Sequence, residues 1–345
     1  MSLTVKHLNA DTTFYLTFSP TNLYPESPGP HPGSFSILLD PWLSGPSDYI
    51  HPRFSTVKHT IPACISSLEA LPEPDLVVIS CAKPDHCHED TLRQLPSHGT
   101  DTRILANSQA AKIVRSWKHF DPQKIEALQK YDERNDEKTV RRFLIPAPTP
   151  AGSPGQVTVA YIPGRYDLAG VHSAIGITYR PPTFAPYFEG VGPSSSPPAS
   201  PDSVGTWKTS YSHPGDKTIS VIYSPHGVPF AQLRPYASAH LVTEAALPLT
   251  ALLHSFDRVE NPWWLGGNVS AGLPGGLEIA KNLLARYWIS AHDEEKEVGG
   301  VTAKPLRYEK WNRKQVESLV EEVIGRMGAK VLELGVGEEM IIYTL

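Results

Sequence analysis

Residues 76–95 are the stretch that most constrains the fold of this chain. The segment opens with Leu-Val-Val-Ile, an apolar and largely β-branched run that is short enough for a buried strand. Residues 80–88 then place one Asp, two His, two Cys and one Lys in a loop, and residues 89–95 read as a short helix with acidic residues in its first turn. A strand that ends in a loop of ligand-type side chains before a helix is where α/β proteins place their chemistry.

A second strand-to-turn stretch, residues 37–45, reads Ile-Leu-Leu-Asp-Pro-Trp-Leu-Ser-Gly. With the loop above, it resembles the metallo-β-lactamase fold superfamily, in which a Leu-x-Asp-Pro turn accompanies a Ser/Thr-His-x-His-x-Asp-His loop. Here residues 80–86 read Ser-Cys-Ala-Lys-Pro-Asp-His, and Thr91-Leu92 stands where the family begins its next helix. The Gly-rich segment around Trp263 and Trp264 looks like that of the lactonase-like and phospholipase-D-like branches.

The elements follow a mixed α and β pattern. Two runs of mostly antiparallel strands are predicted, each with helices, and periodicity alone supports a sandwich-like structure. The resemblance implies the rest, an α+β fold that is a four-layer αββα sandwich. We expect one domain over residues 1–345 with Pro-rich surface insertions near 20–34, 146–155 and 181–217, because the 34 prolines cluster there. Helices are predicted at residues 61–68, 108–117, 274–285 and 313–326.

The resemblance also implies a set of metal-binding residues. Asp85 and His86 match ligands of the second metal of the family, and His292 matches the His that ends the last strand of the site. His226 stands where the family has a bridging Asp, with a turn-capping structural role as its alternative interpretation. Asp40 matches the residue that orients the metal loop by hydrogen bonding, or else it is only a turn former.

Three departures from the family pattern change what the resemblance implies. Cys81, Lys83 and Tyr161 stand where the family has the imidazoles of its first metal position, so we expect one metal rather than two. Cys81 is then a thiolate ligand, a nucleophile or a buried small residue. His88 is an extra ligand or a partner of a ligand. The candidate catalytic residues are therefore Asp85, Lys83, Cys81 and Tyr161.

Lys83 carries two expectations of its own. If it is desolvated, its pKa is depressed, and it could bind an anionic substrate or act as an acid. If its ammonium occupies the vacated metal position in the core, then Lys83→Met should disrupt the fold more than a change at a surface lysine. Three tryptophans, Trp42, Trp263 and Trp264, are expected either to form an aromatic wall for a ligand or to belong to the core.

Two functions lead the interpretation of the sequence, and other chemistry on the same fold, such as an iron-dependent oxidation or a Cys-dependent transfer, makes up the remainder. The first is a hydrolase with a single metal, zinc foremost with iron or manganese as alternatives, that acts on an ester, lactone, amide or phosphoester. The second is a non-catalytic relative with a degenerate active site that serves in binding or interaction, with or without a metal. Metal content separates the two.

Composition limits the classes of molecule that this chain is expected to bind. A net charge of −5 gives no basic surface for nucleic acid, so we expect a small-molecule substrate or ligand. We expect no membrane association, because no apolar run approaches the roughly 20 residues of a membrane helix. Three cysteines without framework spacing and no visible secretory signal favour a reducing compartment, and the expected location is cytoplasmic. The sequence makes no prediction of oligomeric state.

Overall fold

The computed structural model describes residues 1–20, 32–49, 51, 53–165, 167, 169–183, 218–265, 267–301, 306–326 and 328–344. Most of the two Pro-rich insertions expected near 20–34 and 181–217 lies outside the described residues. The third, expected near 146–155, is described and forms a turn. Among the described residues, no helix is long and apolar enough to cross a membrane.

The regular elements alternate along the chain. The strands are β1 (Ser2–His7), β2 (Phe14–Ser19), β3 (Phe35–Leu39), β4 (Ser47–Tyr49), β5 (Ser55–Lys58), β6 (Leu76–Ile79), β7 (Arg103–Ala106), β8 (Ile125–Ala127), β9 (Val140–Ile145), β10 (Gly155–Pro163), β11 (Ser173–Arg180), β12 (Ile219–Ser224), β13 (Ala251–His254), β14 (Arg258–Glu260), β15 (Asn268–Ala271), β16 (Tyr287–Ile289), β17 (Glu297–Gly299), β18 (Arg307–Glu309), β19 (Lys330–Leu332) and β20 (Glu339–Tyr343).

The described residues form fewer α-helices than strands. They are α1 (Glu89–Leu92), α2 (Ser108–Ser116), α3 (Asp136–Thr139), α4 (Phe230–Tyr236), which continues as a π-helical turn (Ala237–Leu241), α5 (Gly272–Asn282) and α6 (Arg313–Ile324). Side-chain caps explain two of the starts. Asn107 accepts a hydrogen bond from the Ala110 N–H at the start of α2, and Asn312 forms a capping box with Gln315 at the start of α6.

Two seven-stranded sheets carry the fold. Their strand orders are β20-β1-β2-β3-β6-β7-β8 and β19-β16-β13-β12-β11-β10-β9. Each sheet is antiparallel on one side and parallel on the other, so the expectation of mostly antiparallel strands was only partly right. Two three-stranded sheets, β15-β14-β18 and β17-β5-β4, accompany them.

Three clusters of buried apolar side chains hold these elements. One joins both large sheets, for example through Leu16 and Ile37 of the first and Val159 and Ile177 of the second. Another joins the second sheet to α4, α5 and α6. A third joins the first sheet to α1 and α2. Burial of each such side chain contributes about 1.5–3 kcal/mol, so both faces of each sheet are held by the hydrophobic effect.

The parallel strands determine where the site lies. β3 and β6 are parallel neighbours in the first sheet, and β12, β13 and β16 are parallel neighbours in the second. Loops that leave the carboxyl ends of parallel strands emerge at the same edge of their sheet. The loops that follow β3, β6, β12 and β16 carry the candidate site residues other than Tyr161, which lies in β10.

One predicted helix is wrong. Residues 61–68 form bends, followed by a single 3-10 turn (Leu68–Ala70), rather than a helix. The Cys64 N–H donates to the Leu8 carbonyl oxygen at 2.9 Å, so this backbone is tied to the β1 end of the sheet instead of to itself. Helix α1 is also shorter than predicted and ends at Leu92.

Candidate metal centre

Asp40 is the point at which the loop after β3 meets the loop after β6. Its buried carboxylate accepts hydrogen bonds from the Ser80 N–H at 2.7 Å, the Ser80 hydroxyl at 2.5 Å and the Tyr223 hydroxyl at 2.7 Å. A φ of 39° puts this non-glycine residue in the left-handed region, which is a strained backbone conformation. The carboxylate therefore fastens the loop that follows β6 to both large sheets.

The loop after β6 turns back on itself within a few residues. The N–H groups of His86 and Cys87 both donate to the Lys83 carbonyl oxygen, at 2.9 and 2.8 Å. This turn buries the side chains of Cys81 and His86, which are 1% and 0% exposed. His86 Nδ1 lies 2.7 Å from Asp40 Oδ2 and donates its proton to that carboxylate.

His226 comes from the tight turn after β12. The Gly227 N–H donates to the Ser224 carbonyl oxygen, and Gly227 has a φ of 80°. A Cβ at Gly227 would lie 2.6 Å from the Ala271 Cβ, so only glycine fits this close approach. His226 Nδ1 lies 3.0 Å from the Val269 carbonyl oxygen and donates to it.

His292 follows β16 and is held by the turn between β1 and β2. Its Nδ1 lies 2.8 Å from Asp11 Oδ1, and its backbone N–H donates to the Asp11 carbonyl oxygen at 3.2 Å. Lys296 donates from Nζ to Asp11 Oδ2 at 2.7 Å. Burial alone would raise the pKa of Asp11, but the charges of His292 and Lys296 hold it well below its usual value.

The three imidazole rings converge. Ring centroids lie 4.9 Å apart for His86 and His226, 5.2 Å for His86 and His292, and 4.5 Å for His226 and His292. In each ring Nδ1 faces an oxygen that can only accept, and for His292 the Asp11 carboxylate at 2.8 Å is closer than the Lys296 ammonium at 3.1 Å. Each neutral ring therefore carries its proton on Nδ1 and a lone pair on Nε2. This is the tautomer that metal-binding histidines take when an oxygen partner orients them.

Asp85 supplies a carboxylate to the same group. Its Oδ2 lies 3.8 Å from His86 Nε2, and its Oδ1 is buried with no hydrogen-bond partner among the described residues. A buried carboxylate oxygen without a partner is costly, and a cation would satisfy it. Two sets of donor atoms lie within 4.8 Å of one another, one from Asp85, His86 and His292 and one from Cys81, His86 and His226. The residues present therefore fit a divalent metal.

The pKa values of His86 and His226 are shifted in opposite directions. Burial opposes the charged form of His86, but its electrostatic interactions with Cys81, Asp85 and Asp40 outweigh burial and raise the pKa of His86 well above its usual value. Burial, together with the charges of His292 and His86, lowers the pKa of His226 well below its usual value. Without a metal, His86 Nε2 therefore donates a proton to His226 Nε2, 2.9 Å away.

His88 lies apart from this group. It caps α1, where its Nδ1 accepts from the Thr91 N–H at 3.3 Å, and its Nε2 lies 3.4 Å from the Pro46 carbonyl oxygen. Both nitrogens are thus used within the fold, and His88 belongs to neither set of converging donors. Its geometry favours a structural role over the ligand role that was expected.

Tyr161 and Lys83 lie beside the metal-binding group rather than in it. Burial raises the pKa of the Tyr161 hydroxyl, and hydrogen bonds with Asn107 and Ser173 oppose that rise, so it is a neutral phenol at neutral pH. Lys83 is partly exposed and lines the cavity next to Asp85, and among the described residues it forms no ion pair. The expected core ammonium at the vacated metal position is therefore not Lys83. The buried ammonium near the centre is that of Lys296, whose side chain is 14% exposed.

Sequence reasoning missed three residues of the centre. Asp11 and Lys296 are joined only by folding, and Tyr223, whose hydroxyl reaches Asp40, lies in an apolar strand that gave no sign of it. A weak signal for Lys296 was available, because it lies four residues after His292 in the charged run Asp-Glu-Glu-Lys. No comparable signal marked Asp11.

A cavity of about 830 Å³ opens onto the group. Asp85, His226 and His292 line it together with Lys83 and Lys296, and two of the three tryptophans considered above line it further out. Trp263 and Trp264 are 81% and 67% exposed, whereas Trp42 is fully buried and donates from its ring N–H to the Gly45 carbonyl oxygen. Trp42 is therefore core, and only the other two can form an aromatic wall.

Part of the chain matches a known family. Two mixed sheets present loops that join three imidazoles and a carboxylate into a candidate metal centre beside a cavity. The family model of the beta-lactamase superfamily domain matches residues 31–171, which contain Asp40, the loop after β6 and Tyr161. This match supports the resemblance to the metallo-β-lactamase fold superfamily that the sequence predicted.

The structure of Igni18, a novel metallo hydrolase from the hyperthermophilic archaeon Ignicoccus hospitalis, is similar over 100% of both chains, with 15% sequence identity and a TM-score of 0.47. No curated protein matches the sequence.

Proposed function

We propose that this protein is a metal-dependent hydrolase with one metal ion, held by Asp85, His86, His226 and His292. The observation that carries the proposal is the convergence of three imidazoles whose Nδ1 atoms are all hydrogen-bonded to oxygens, so that the three Nε2 atoms are the ones left to bind a metal. The unpartnered Asp85 Oδ1 adds the negative charge that a divalent ion requires. This donor set suits zinc, with iron or manganese as alternatives.

A single ion follows from the shared ligand. His86 belongs to both sets of converging donors, and only its Nε2 is free, since its Nδ1 is bonded to Asp40. One nitrogen lone pair binds one metal ion, so the two sets, which share His86, surround a single ion. Cys81, Lys83 and Tyr161 at the family's first metal position agree with this count.

The roles of the protein's own groups follow from their contacts. Asp40 and Asp11 orient His86 and His292 and increase the basicity of their Nε2 atoms, and the Val269 carbonyl orients His226. Lys83, which has no ion-pair partner among the described residues, faces the cavity and would bind an anionic group of the substrate. A divalent metal bound here would polarise a carbonyl or phosphoryl oxygen and acidify water.

The substrate class proposed is an ester, lactone, amide or phosphoester of a small molecule that fits a cavity of about 830 Å³. The three apolar clusters support a four-layer αββα sandwich, which we include in the proposal. The single-domain organisation and the relation to the lactonase-like or phospholipase-D-like branch stay predictions, as does the cytoplasmic location.

Metal analysis of the purified protein tests the proposal. We expect about one equivalent of metal per chain in the wild type, loss of that metal in His86→Ala, and a lower melting temperature after chelation. His88→Ala is the matched control from the same loop, because its imidazole is used in capping α1, and it should keep the metal.

Metal-free protein with a melting temperature that chelation leaves unchanged would contradict the proposal. That result would favour the alternative function, a non-catalytic member of the superfamily that uses the cavity for binding. In that case a proton rather than a metal would lie between His86 and His226.

A further inference from the structure

Cys81 stands on the His86 side of the proposed metal centre. Its Sγ and one ring nitrogen from each of His86 and His226 lie within 4.8 Å of one another, and all three residues are buried. The Nδ1 atoms of both rings are bonded to Asp40 and Val269, so the nitrogens free to join Cys81 are the Nε2 atoms. These two Nε2 atoms lie 2.9 Å apart and face the same space.

We infer that Cys81 is a thiolate ligand of the metal, so that the ion is held by Cys81, His86 and His226 with Asp85 and His292 on its other side. This inference rests on the proposed metal centre and specifies the chemistry of that centre. Cys81 stands where the family has an imidazole ligand. In this inference its sulfur takes over the role of that ligand.

The loop after β6 explains why Cys81 and His86 reach the same ion. Cys81 immediately follows the first residue after the strand, and the turn that closes on the Lys83 carbonyl brings His86 back toward it. Cys87 is also buried, but it packs with the apolar residues of the first sheet and α1 and belongs to neither set of converging donors. The two cysteines of one loop therefore have different environments.

The donor set has consequences for metal choice. A thiolate with two imidazoles is a soft-to-borderline set that selects zinc or copper, whereas manganese and magnesium prefer oxygen donors. A bound divalent ion would be balanced by two negative donors, the Cys81 thiolate and the Asp85 carboxylate. We therefore expect a stronger preference for zinc over manganese than carboxylate and imidazole donors alone would give.

Cobalt spectroscopy tests the inference on the full-length protein. Metal-free protein is titrated with Co²⁺, and the near-ultraviolet thiolate-to-cobalt charge-transfer band is recorded alongside the visible bands that report Co²⁺ binding. We expect the charge-transfer band in the wild type and in the double variant Cys64→Ser/Cys87→Ser, in which Cys81 is the only cysteine left. The double variant assigns the band even if Cys81→Ser fails to fold.

Cys81→Ser should lose the charge-transfer band and bind Zn²⁺ at least about 100-fold more weakly. Loss of a residue that only hydrogen-bonds a metal ligand costs about 10- to 100-fold, and this variant removes a ligand itself. The single variant Cys87→Ser is the matched control and should keep both. Visible cobalt bands without a charge-transfer band, or unchanged zinc affinity in a folded Cys81→Ser variant, would overturn the inference and leave the proposed function intact. Wild-type protein that binds neither Co²⁺ nor Zn²⁺ would overturn both.

Discussion

His86 Nε2 and His226 Nε2 lie 2.9 Å apart, although the oxygen partners of both Nδ1 atoms leave each neutral ring with a lone pair on Nε2. Two lone pairs at this distance repel, so the pair needs either a proton or a metal ion between them. The first prediction follows from this relationship.

In the metal-free protein, the pKa of His86 is raised well above its usual value of 6.5, because electrostatic interactions with Cys81, Asp85 and Asp40 outweigh the effect of burial. A raised pKa stabilises the fold fully below the unfolded value and less as pH rises through the folded value. We therefore expect the metal-free wild type to lose stability relative to His86→Gln as pH increases above about 6.5.

Urea unfolding of chelated wild type and His86→Gln over a series of pH values measures this difference. The metal-loaded wild type is the control, and it should keep its advantage at alkaline pH because a bound ion replaces the proton. Parallel pH profiles for the two metal-free proteins would show that no proton is held between the rings.

The second prediction concerns Asp11, whose carboxylate bonds His292 through Oδ1 and Lys296 through Oδ2. Asp11→Asn leaves the Lys296 ammonium nearly buried and unpaired, which should cost about 3–5 kcal/mol of the free energy of unfolding. It should also weaken metal binding by about 10- to 100-fold, because the amide orients His292 less firmly.

Adding Lys296→Met to Asp11→Asn separates the two effects. Removing the unpaired charge should restore most of the stability, while the metal affinity stays low. Denaturant unfolding and zinc competition measure the two quantities, and equal recovery of both would mean that Asp11 acts on the metal only through stability.

The sequence predicted what local patterns determine. The strand-loop-helix at residues 76–95 and the Asp40 turn were recognised because each lies within one short stretch. The pairing of Asp11 with Lys296 could not be predicted, since it joins residues 285 positions apart, and only Lys296 has even a weak local signal. The helix expected at residues 61–68 failed because the tie from Cys64 to Leu8, a tertiary contact, overrides local propensity.

The third prediction reverses an expectation about Lys83. Because its side chain is partly exposed and forms no ion pair among the described residues, Lys83→Met should change the free energy of unfolding by less than about 0.5 kcal/mol. Lys296→Met should be far more destabilising, by about 3–5 kcal/mol, because it leaves the buried Asp11 carboxylate without its cation.

Thermal and urea unfolding of both variants check this order, with Lys112→Met on the exposed face of α2 as the surface control. Lys83→Met should instead weaken binding of phenyl phosphate by roughly 1.5- to 5-fold and leave binding of uncharged phenylethanol unchanged. A Lys83→Met variant as unstable as Lys296→Met would restore the core position first expected for Lys83.

The last prediction distinguishes the tryptophans that line the cavity from the one that belongs to the hydrophobic core. Trp263 and Trp264 line the cavity and are 81% and 67% exposed, so replacing either with Ala should leave the stability of the fold nearly unchanged. Trp42 is fully buried, and Trp42→Ala should cost about 3–5 kcal/mol.

Binding of an aromatic anion, 8-anilinonaphthalene-1-sulfonate, provides the second readout. Loss of an aromatic contact is worth about 0.5–1.5 kcal/mol, so each exposed-tryptophan variant should bind this probe roughly 2- to 10-fold more weakly. Phe54, a half-exposed aromatic on the same cavity, offers a comparison, and its replacement by Leu should have a smaller effect. Unchanged probe affinity in both tryptophan variants would mean that the two rings take no part in ligand binding. The remaining cavity residues would then bind the probe alone.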